Sequence, residues 1–258
     1  MDYIDSHCHF NSPELRGDIP EELERCRVVG GGRMAVIGSN LADSEEAVEI
    51  CRKFPSYGLF PVVGIHPHDA KDAAGGLPER LLELAALPEV RAWGEIGLDY
   101  HYDLSPRDVQ RRVLAQQLEA AARMDKPVVF HVREAYDDFW PIIEQAGAPK
   151  KAVLHCFSGA REDAEKALGL GWKIGVTGVI TFARAEEFRA VIKEIPLESL
   201  LCETDSPWMA PVPFRGSVNV PSRVPLVYAK LAQVKESDLE YLKAQIWRNC
   251  FDFYGLEE

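Results

Sequence analysis

The chain has 258 residues, 47% of them hydrophobic, enough for one large α/β domain with a well-buried core. Its 29 basic and 41 acidic residues leave a formal charge of −12, which argues against an extended basic surface for gripping duplex nucleic acid but leaves room for a local basic pocket. No apolar run reaches the roughly 18 residues that a membrane span requires, and the opening Met-Asp-Tyr-Ile-Asp-Ser-His has no basic or long apolar leader, so a soluble cytoplasmic protein is expected.

Short β-branched runs alternate with longer amphipathic ones along the chain, the pattern of repeated βα units. The first predicted strand, Tyr3 to Asp5, runs into His7 and His9, which share one face of an extended backbone because side chains alternate sides. Ser12-Pro13-Glu14 reads as a helix start, with serine capping, proline in the first turn and an acid behind it. Gly30-Gly31-Gly32 falls at a helix-to-strand junction and lacks the form of a dinucleotide-binding loop. Further strands are predicted at 34–38, 59–65, 90–96, 127–131, 152–155, 173–176 and 200–203. Ser105-Pro106-Arg107-Asp108 opens a helix to about Met124, with Val109, Val113, Leu114 and Leu118 at helical spacing. A last helix is predicted from Glu236 to Tyr254 on the stripe Leu239, Leu242, Ile246 and Phe251.

About eight βα units in one chain of this length, with no linker rich in Pro, Gly or Ser, predict a single (β/α)₈ barrel domain over residues 1–258, ahead of a doubly wound open sheet. The six cysteines contain no C-x-x-C pair and are expected to be reduced thiols. Cys8 and Cys156 each adjoin a candidate ligand histidine. On an extended backbone such a neighbour faces away, so both are assigned to packing.

A parallel barrel opens all its strand C-termini on one face, where residues distant in sequence converge. The strand ends here carry His7 and His9, then Glu95 with Asp99, His131 with Arg133, His155 with Cys156, and Glu203 with Asp205. Four imidazoles and, counting only Glu95 and Asp205, two carboxylates exceed the four ligands of a closed structural zinc site. They suit two metals sharing a carboxylate, a device that activates water and neutralises charge on a phosphoryl oxygen.

The motifs Asp5-Ser6-His7-Cys8-His9, Gly64-Ile65-His66-Pro67-His68, Gly94-Glu95-Ile96-Gly97-Leu98-Asp99-Tyr100, His131-Val132-Arg133, His155-Cys156-Phe157-Ser158-Gly159 and Glu203-Thr204-Asp205-Ser206-Pro207 span nearly the whole chain. In that order they resemble the signatures of the TatD family of metal-dependent deoxyribonucleases, within the wider amidohydrolase-like hydrolases. The resemblance implies a first metal on His7, His9 and Asp205, a second on His131 and His155, and Glu95 between them. It also implies phosphodiester hydrolysis, often from a 3′ end, with Mg²⁺ frequently the activating ion. An imidazole-rich donor set suits Zn²⁺ or Mn²⁺ better, since Mg²⁺ prefers oxygen and keeps its waters. One departure is Arg215-Gly216-Ser217-Val218-Asn219-Val220-Pro221, where Val220 replaces the family's usual glutamate, a change expected to touch substrate recognition or loop anchoring.

Around this centre His66, His68, Arg133 and Arg215 are candidate substrate contacts. Arg133 could instead pair with Asp137 or Asp138 one turn along, and Trp208 is expected to pack its loop more than to stack on a base. The leading expectation is a deoxyribonuclease acting on single strands or DNA ends, with Asp205 and Glu95 catalytic and no obligate protein partner. The runner-up is hydrolysis of an ester, amide or lactone on the same centre, such as D-aminoacyl-tRNA deacylation. A non-catalytic interaction protein on a degenerate barrel is the third reading, disfavoured by the complete ligand set.

Overall fold

The computed structural model describes residues 2–257. Every predicted strand is present: β1 (Tyr3–Cys8), β2 (Gly31–Ile37), β3 (Leu59–Val63), β4 (Ala92–Asp99), β5 (Val128–Arg133), β6 (Ala152–Leu154), β7 (Lys173–Val176) and β8 (Leu200–Cys202). They form one parallel sheet in chain order. The sheet closes on itself just past β8, where Cys8 bridges Ser206, the Asp205 amide donates to His7 O at 2.9 Å and the His9 amide donates to Ser206 O at 2.9 Å. The architecture is a (β/α)₈ barrel.

Between and after the strands lie α1 (Ile19–Val28), α2 (Leu41–Lys53), α3 (Glu79–Ala85), α4 (Arg107–Arg123), α5 (Tyr136–Ala146), α6 (Arg161–Gly169), α7 (Glu186–Glu194), α8 (Val224–Lys235) and α9 (Leu239–Tyr254). Two expected helix starts are corrected. Ser12-Pro13-Glu14 begins no helix: the amides of Leu15 and Arg16 both donate to Ser12 O in a turn, and α1 starts at Ile19 with Pro20 in its first turn. Only from Ile19 does a buried stripe recur, through Leu23 and Cys26, and packing of that stripe sets the start. Ser105 does not cap α4; its hydroxyl donates to His68 O at 2.7 Å and accepts from the Lys71 amide at 3.1 Å, fastening the 3₁₀ segment Pro67–Ala73. The C-terminal pattern becomes α9, capped by the Asp238 carboxylate on the Tyr241 amide.

Strands of a parallel barrel are covered on both faces, and all eight residues of β4 are buried. Trp93, Phe130 and Trp172 are fully buried in the main core. Gln117 of α4 locks the β3 end to β4 by accepting from the Ile65 amide and the Trp93 indole and donating to Ile65 O. At Gly97, with φ +152°, an added Cβ would lie 1.8 Å from His131 O, so only glycine lets β4 and β5 approach at the level of the site. Among the described residues, no helix is long and apolar enough to cross a membrane.

Candidate metal centre

The barrel brings His7, His9, Glu95, His131, His155 and Asp205 together at the C-terminal mouth, all but His131 buried. The two oxygens of Glu95 face different ways. Oε2 stands 3.3 Å from His7 Nε2 and 3.8 Å from His9 Nε2, while Oε1 stands 2.9 Å from His131 Nδ1 and 3.3 Å from His155 Nε2. Asp205 Oδ1 lies 3.7 to 3.9 Å from the Nε2 atoms of His9, His155 and His7. His7 Nε2 and His9 Nε2 approach to 3.1 Å.

Donor atoms about 2.1 Å from a shared ion sit about 3.0 Å apart in cis octahedral and about 3.4 Å apart in tetrahedral geometry. The spacings above bracket those values. Lone pairs converging this closely repel one another unless a proton or cation lies between them, so the donor set fits divalent metal. The described residues offer two such clusters on Glu95, one with His7 and His9 and one with His131 and His66.

Local backbone explains the aim of these groups. His7 and His9 keep the alternation of β1. Asp205 follows the end of β8 in the left-handed region, φ +53°, which aspartate tolerates better than most residues. Cys156 also has φ +42°, and this breaks the alternation on which its packing assignment rested. Its thiol lies 3.5 Å from the Thr177 hydroxyl and within 4.8 Å of the ligand atoms of His155 and Asp205. Cys8 does face away, its buried thiol donating to Ala35 O at 3.2 Å.

Three carboxylates hold the candidate ligands in place, and sequence reasoning gave them no role. Glu203 accepts from His155 Nδ1 at 3.0 Å, from the Cys156 amide at 2.7 Å and from the Ser6 hydroxyl at 3.0 Å. Asp99 accepts from His131 Nε2 at 2.9 Å and lies 3.1 Å from His68 Nε2. Asp5 binds the Thr204 amide and hydroxyl, joining β1 to the end of β8. When the rings are neutral, as metal binding would require, these partners would leave the lone pair of His155 Nε2 and of His131 Nδ1 facing Glu95. Period-two alternation was the available signal for Asp5 and Asp99, because 5 and 7 lie in β1 and 95 and 99 in β4 on shared faces, whereas Glu203 and Asp205 lie past the end of β8.

Electrostatics follow from burial working against the cluster's opposite charges. Burial alone would raise the Glu95 carboxyl, but His155, His66, His7 and the bond from His131 outweigh it and hold the group well below its usual range. Asp205 is lowered in the same way, burial being overcome by His155, His9 and His7. Burial depresses His155, yet Glu95, Glu203 and Asp205 raise it to about 10 in the metal-free protein. Burial pushes Asp5 up to about 8 against the bonds from Thr204.

His66 belongs to the cluster more closely than expected: it is buried, its Nε2 is 3.6 Å from Glu95 Oε1, and burial holds it well below the usual histidine range. His68 is more open and packs edge-on against Tyr102. Arg133 pairs with neither Asp137 nor Asp138; it lies over Tyr102 at 4.9 Å, and Asp138 is taken by Arg111 and Tyr100. Arg215 is exposed over Phe182 at 3.7 Å. Trp208 is 52% exposed and lies edge-on to His9. The Val220 loop is anchored without a glutamate of its own, by Asn219 donating to Thr204 O and by Glu22 accepting from the Ser222 amide.

The family described as TatD related DNase matches residues 4–255. The chain belongs to this family. Relatives across its full length include the uncharacterised metal-dependent hydrolase YabD of Bacillus subtilis, 35% identical over 96% of each chain. The 3′-5′ ssDNA/RNA exonuclease TatD of Erwinia amylovora is 33% identical over 98% of this chain and 100% of that one. Among solved structures, YjjV, a TatD homologue from Escherichia coli K12, superposes with a TM-score of 0.88 at 31% identity, covering 99% of this chain and 98% of its own. The protein is thus a hydrolase of the TatD nuclease family, and its clustered imidazoles and carboxylates are of the kind that bind metal.

Proposed function

We propose that the protein is a two-metal phosphodiesterase that removes nucleotides from the 3′ end of single-stranded DNA or RNA, acting as one barrel domain in the cytoplasm. The observation that carries the reading is the division of Glu95 between two histidine sets, one oxygen toward His7 and His9, the other toward His131 and His155. His7, His9 and Asp205 would hold one ion, His131 and His155 the other, and Glu95 both. Such ions, Zn²⁺ or Mn²⁺ by the donor set or Mg²⁺ by family habit, would supply Lewis acidity toward the phosphoryl oxygen and acidify a water.

The chain's own residues do the rest. Asp205, kept ionised by the histidines around it, takes the proton of the attacking water. Asp99 and Glu203 fix the rings of His131 and His155 so that no reorganisation is needed during the reaction. His66 and His68 donate to the substrate phosphate, and Arg133 and Arg215 steer it from the rim. Six free cysteines accord with a reducing compartment. Membership of a nuclease family, with relatives named as ssDNA/RNA exonucleases, favours the phosphodiester over the carboxylic ester, amide or lactone.

The test is digestion of a 5′-labelled single strand by metal-replete protein. A ladder shortening from the 3′ end, slower on a blunt duplex, is expected. Internal fragments from the start, or turnover only of D-aminoacyl esters or lactones, would refute the proposal.

A further inference from the structure

A cavity of about 750 Å³ opens beside the centre on the β5–β8 side of the mouth, with His131, His155 and Asp205 on its inner wall. Its outer wall is apolar, built by Phe157, Val179, Phe182 and Phe188, and Arg133 and Arg184 also line it. Most other arginines hold carboxylates, as Arg52 holds Glu89, Arg111 holds Asp138 and, on this same lining, Arg161 holds Glu194, while Arg33, Arg91, Arg189, Arg223 and Arg248 bond to neutral oxygens. Arg133 and Arg184 hold none among the described residues. Neither does Arg215, whose guanidinium covers one face of Phe182 at 3.7 Å. In a protein with a formal charge of −12, two arginines without acidic partners therefore line one cavity beside the centre, and a third covers the Phe182 of its wall. Cationic groups alternating with aromatic faces are what a single nucleic-acid strand requires, phosphates on the first and bases on the second.

We propose that this cavity seats the nucleotide adjoining the scissile phosphodiester, its base against Phe182 and Phe188 and its neighbouring phosphate on Arg184 and Arg133. The inference rests on the nucleic-acid reading above and adds where the strand lies. A base seated here is splayed out of any helix, so the site accepts single strands and frayed ends and excludes paired nucleotides. Glu187 also lines the cavity and opposes the phosphate, so its charge sets an upper limit on affinity.

The experiment compares wild type with Arg184→Ala, Phe182→Ala and Glu187→Gln, and with Arg112→Ala, on the outer helix beside Asp108, as control. Metal content is matched, and the substrates are a labelled single-stranded 12-mer, the same strand abasic near either end, and bis(p-nitrophenyl) phosphate. For Arg184→Ala we expect KM on the 12-mer to rise at least about fivefold and the salt slope to shrink by about 0.7, the share of one phosphate contact. The loss on the 12-mer should exceed that on the small ester about fivefold, by the same one-contact reasoning. Glu187→Gln should lower KM. Phe182→Ala should abolish the preference for an intact over an abasic end. If wild type degrades the 12-mer while Arg184→Ala and Phe182→Ala leave its KM, salt slope and abasic preference unchanged, the strand lies elsewhere and this inference alone fails. If wild type degrades no oligonucleotide, the nucleic-acid reading fails and takes the inference with it.

Discussion

Replacing Glu203 by glutamine tests the supporting shell without dismantling the centre. The Glu203 carboxylate is buried and gathers three donors: His155 Nδ1, the Cys156 amide and the Ser6 hydroxyl. The first two converge on Oε1, so a glutamine carbonyl can keep both. Ser6 faces Oε2 and also reaches Cys202 O, which leaves its hydroxyl free to accept from the new amide. Shape and bond count survive, and what goes is the negative charge that makes the His155 ring a strong donor toward a cation. A bond to a charged group contributes about 1.5–3 kcal/mol, and losing the charge-assisted share corresponds to a 10- to 100-fold fall in affinity, the range typical of outer-shell partners. Competitive titration of metal-free protein with Zn²⁺ or Mn²⁺ against a chelating dye should show that fall at the His131–His155 site, with the melting temperature nearly unchanged. Gly175→Ala gives a second route, because its Cβ would lie 2.4 Å from Glu203 Oε1 and force the carboxylate aside. Affinities within threefold of wild type in both variants, or a loss confined to the His7–His9 site, would refute the reasoning.

Three further outcomes are expected. Asp205→Asn keeps the shape but removes basicity, and should lower turnover about 10²-fold or more at saturating metal; near wild-type rates would move the base elsewhere. Because His155 is held at about 10 in the metal-free protein, it carries a proton at pH 8 that metal must displace. Calorimetry in buffers of different ionisation enthalpy should then show about one proton released at that site, with affinity falling about tenfold per unit as pH drops; zero release would contradict the charge balance. Gly97→Ala, which drives a Cβ into the His131 carbonyl, should destabilise the fold by about 2 kcal/mol or more, read from denaturant midpoints, whereas an unchanged midpoint would mean that β4 and β5 part easily.

The barrel was legible because short apolar runs alternate with amphipathic ones throughout the chain and five of the eight strands carry a metal-ligand residue type at or just past their ends. Glu95, His131 and Asp205 are far apart in sequence, and only the rule that parallel strands open on one face brings them together. Helix starts were less legible. Ser12-Pro13-Glu14 and Asp18-Ile19-Pro20-Glu21 carry similar local chemistry, and the choice between them is made by where Ile19, Leu23 and Cys26 can pack, which is a tertiary fact. Cys156 was misassigned because alternation was carried two residues beyond β6, which ends at Leu154, into a left-handed turn. Conversely, Asp5 and Asp99 obey alternation within β1 and β4 and were within reach of the rule that found His7 and His9, whereas Glu203 lies just past β8. The cavity beside the centre was out of reach, since Phe157, Phe182 and Phe188 come from different loops and helices whose approach no local pattern encodes.

Metal stoichiometry is the most direct measurement of the two-ion account. Elemental analysis of wild type, His131→Ala and Glu95→Gln after loading and removal of free metal should give two ions per chain, then one, then fewer than one. A single tightly held ion in metal-replete wild type, unchanged by His131→Ala, would contradict the shared role of Glu95 and with it the binuclear centre.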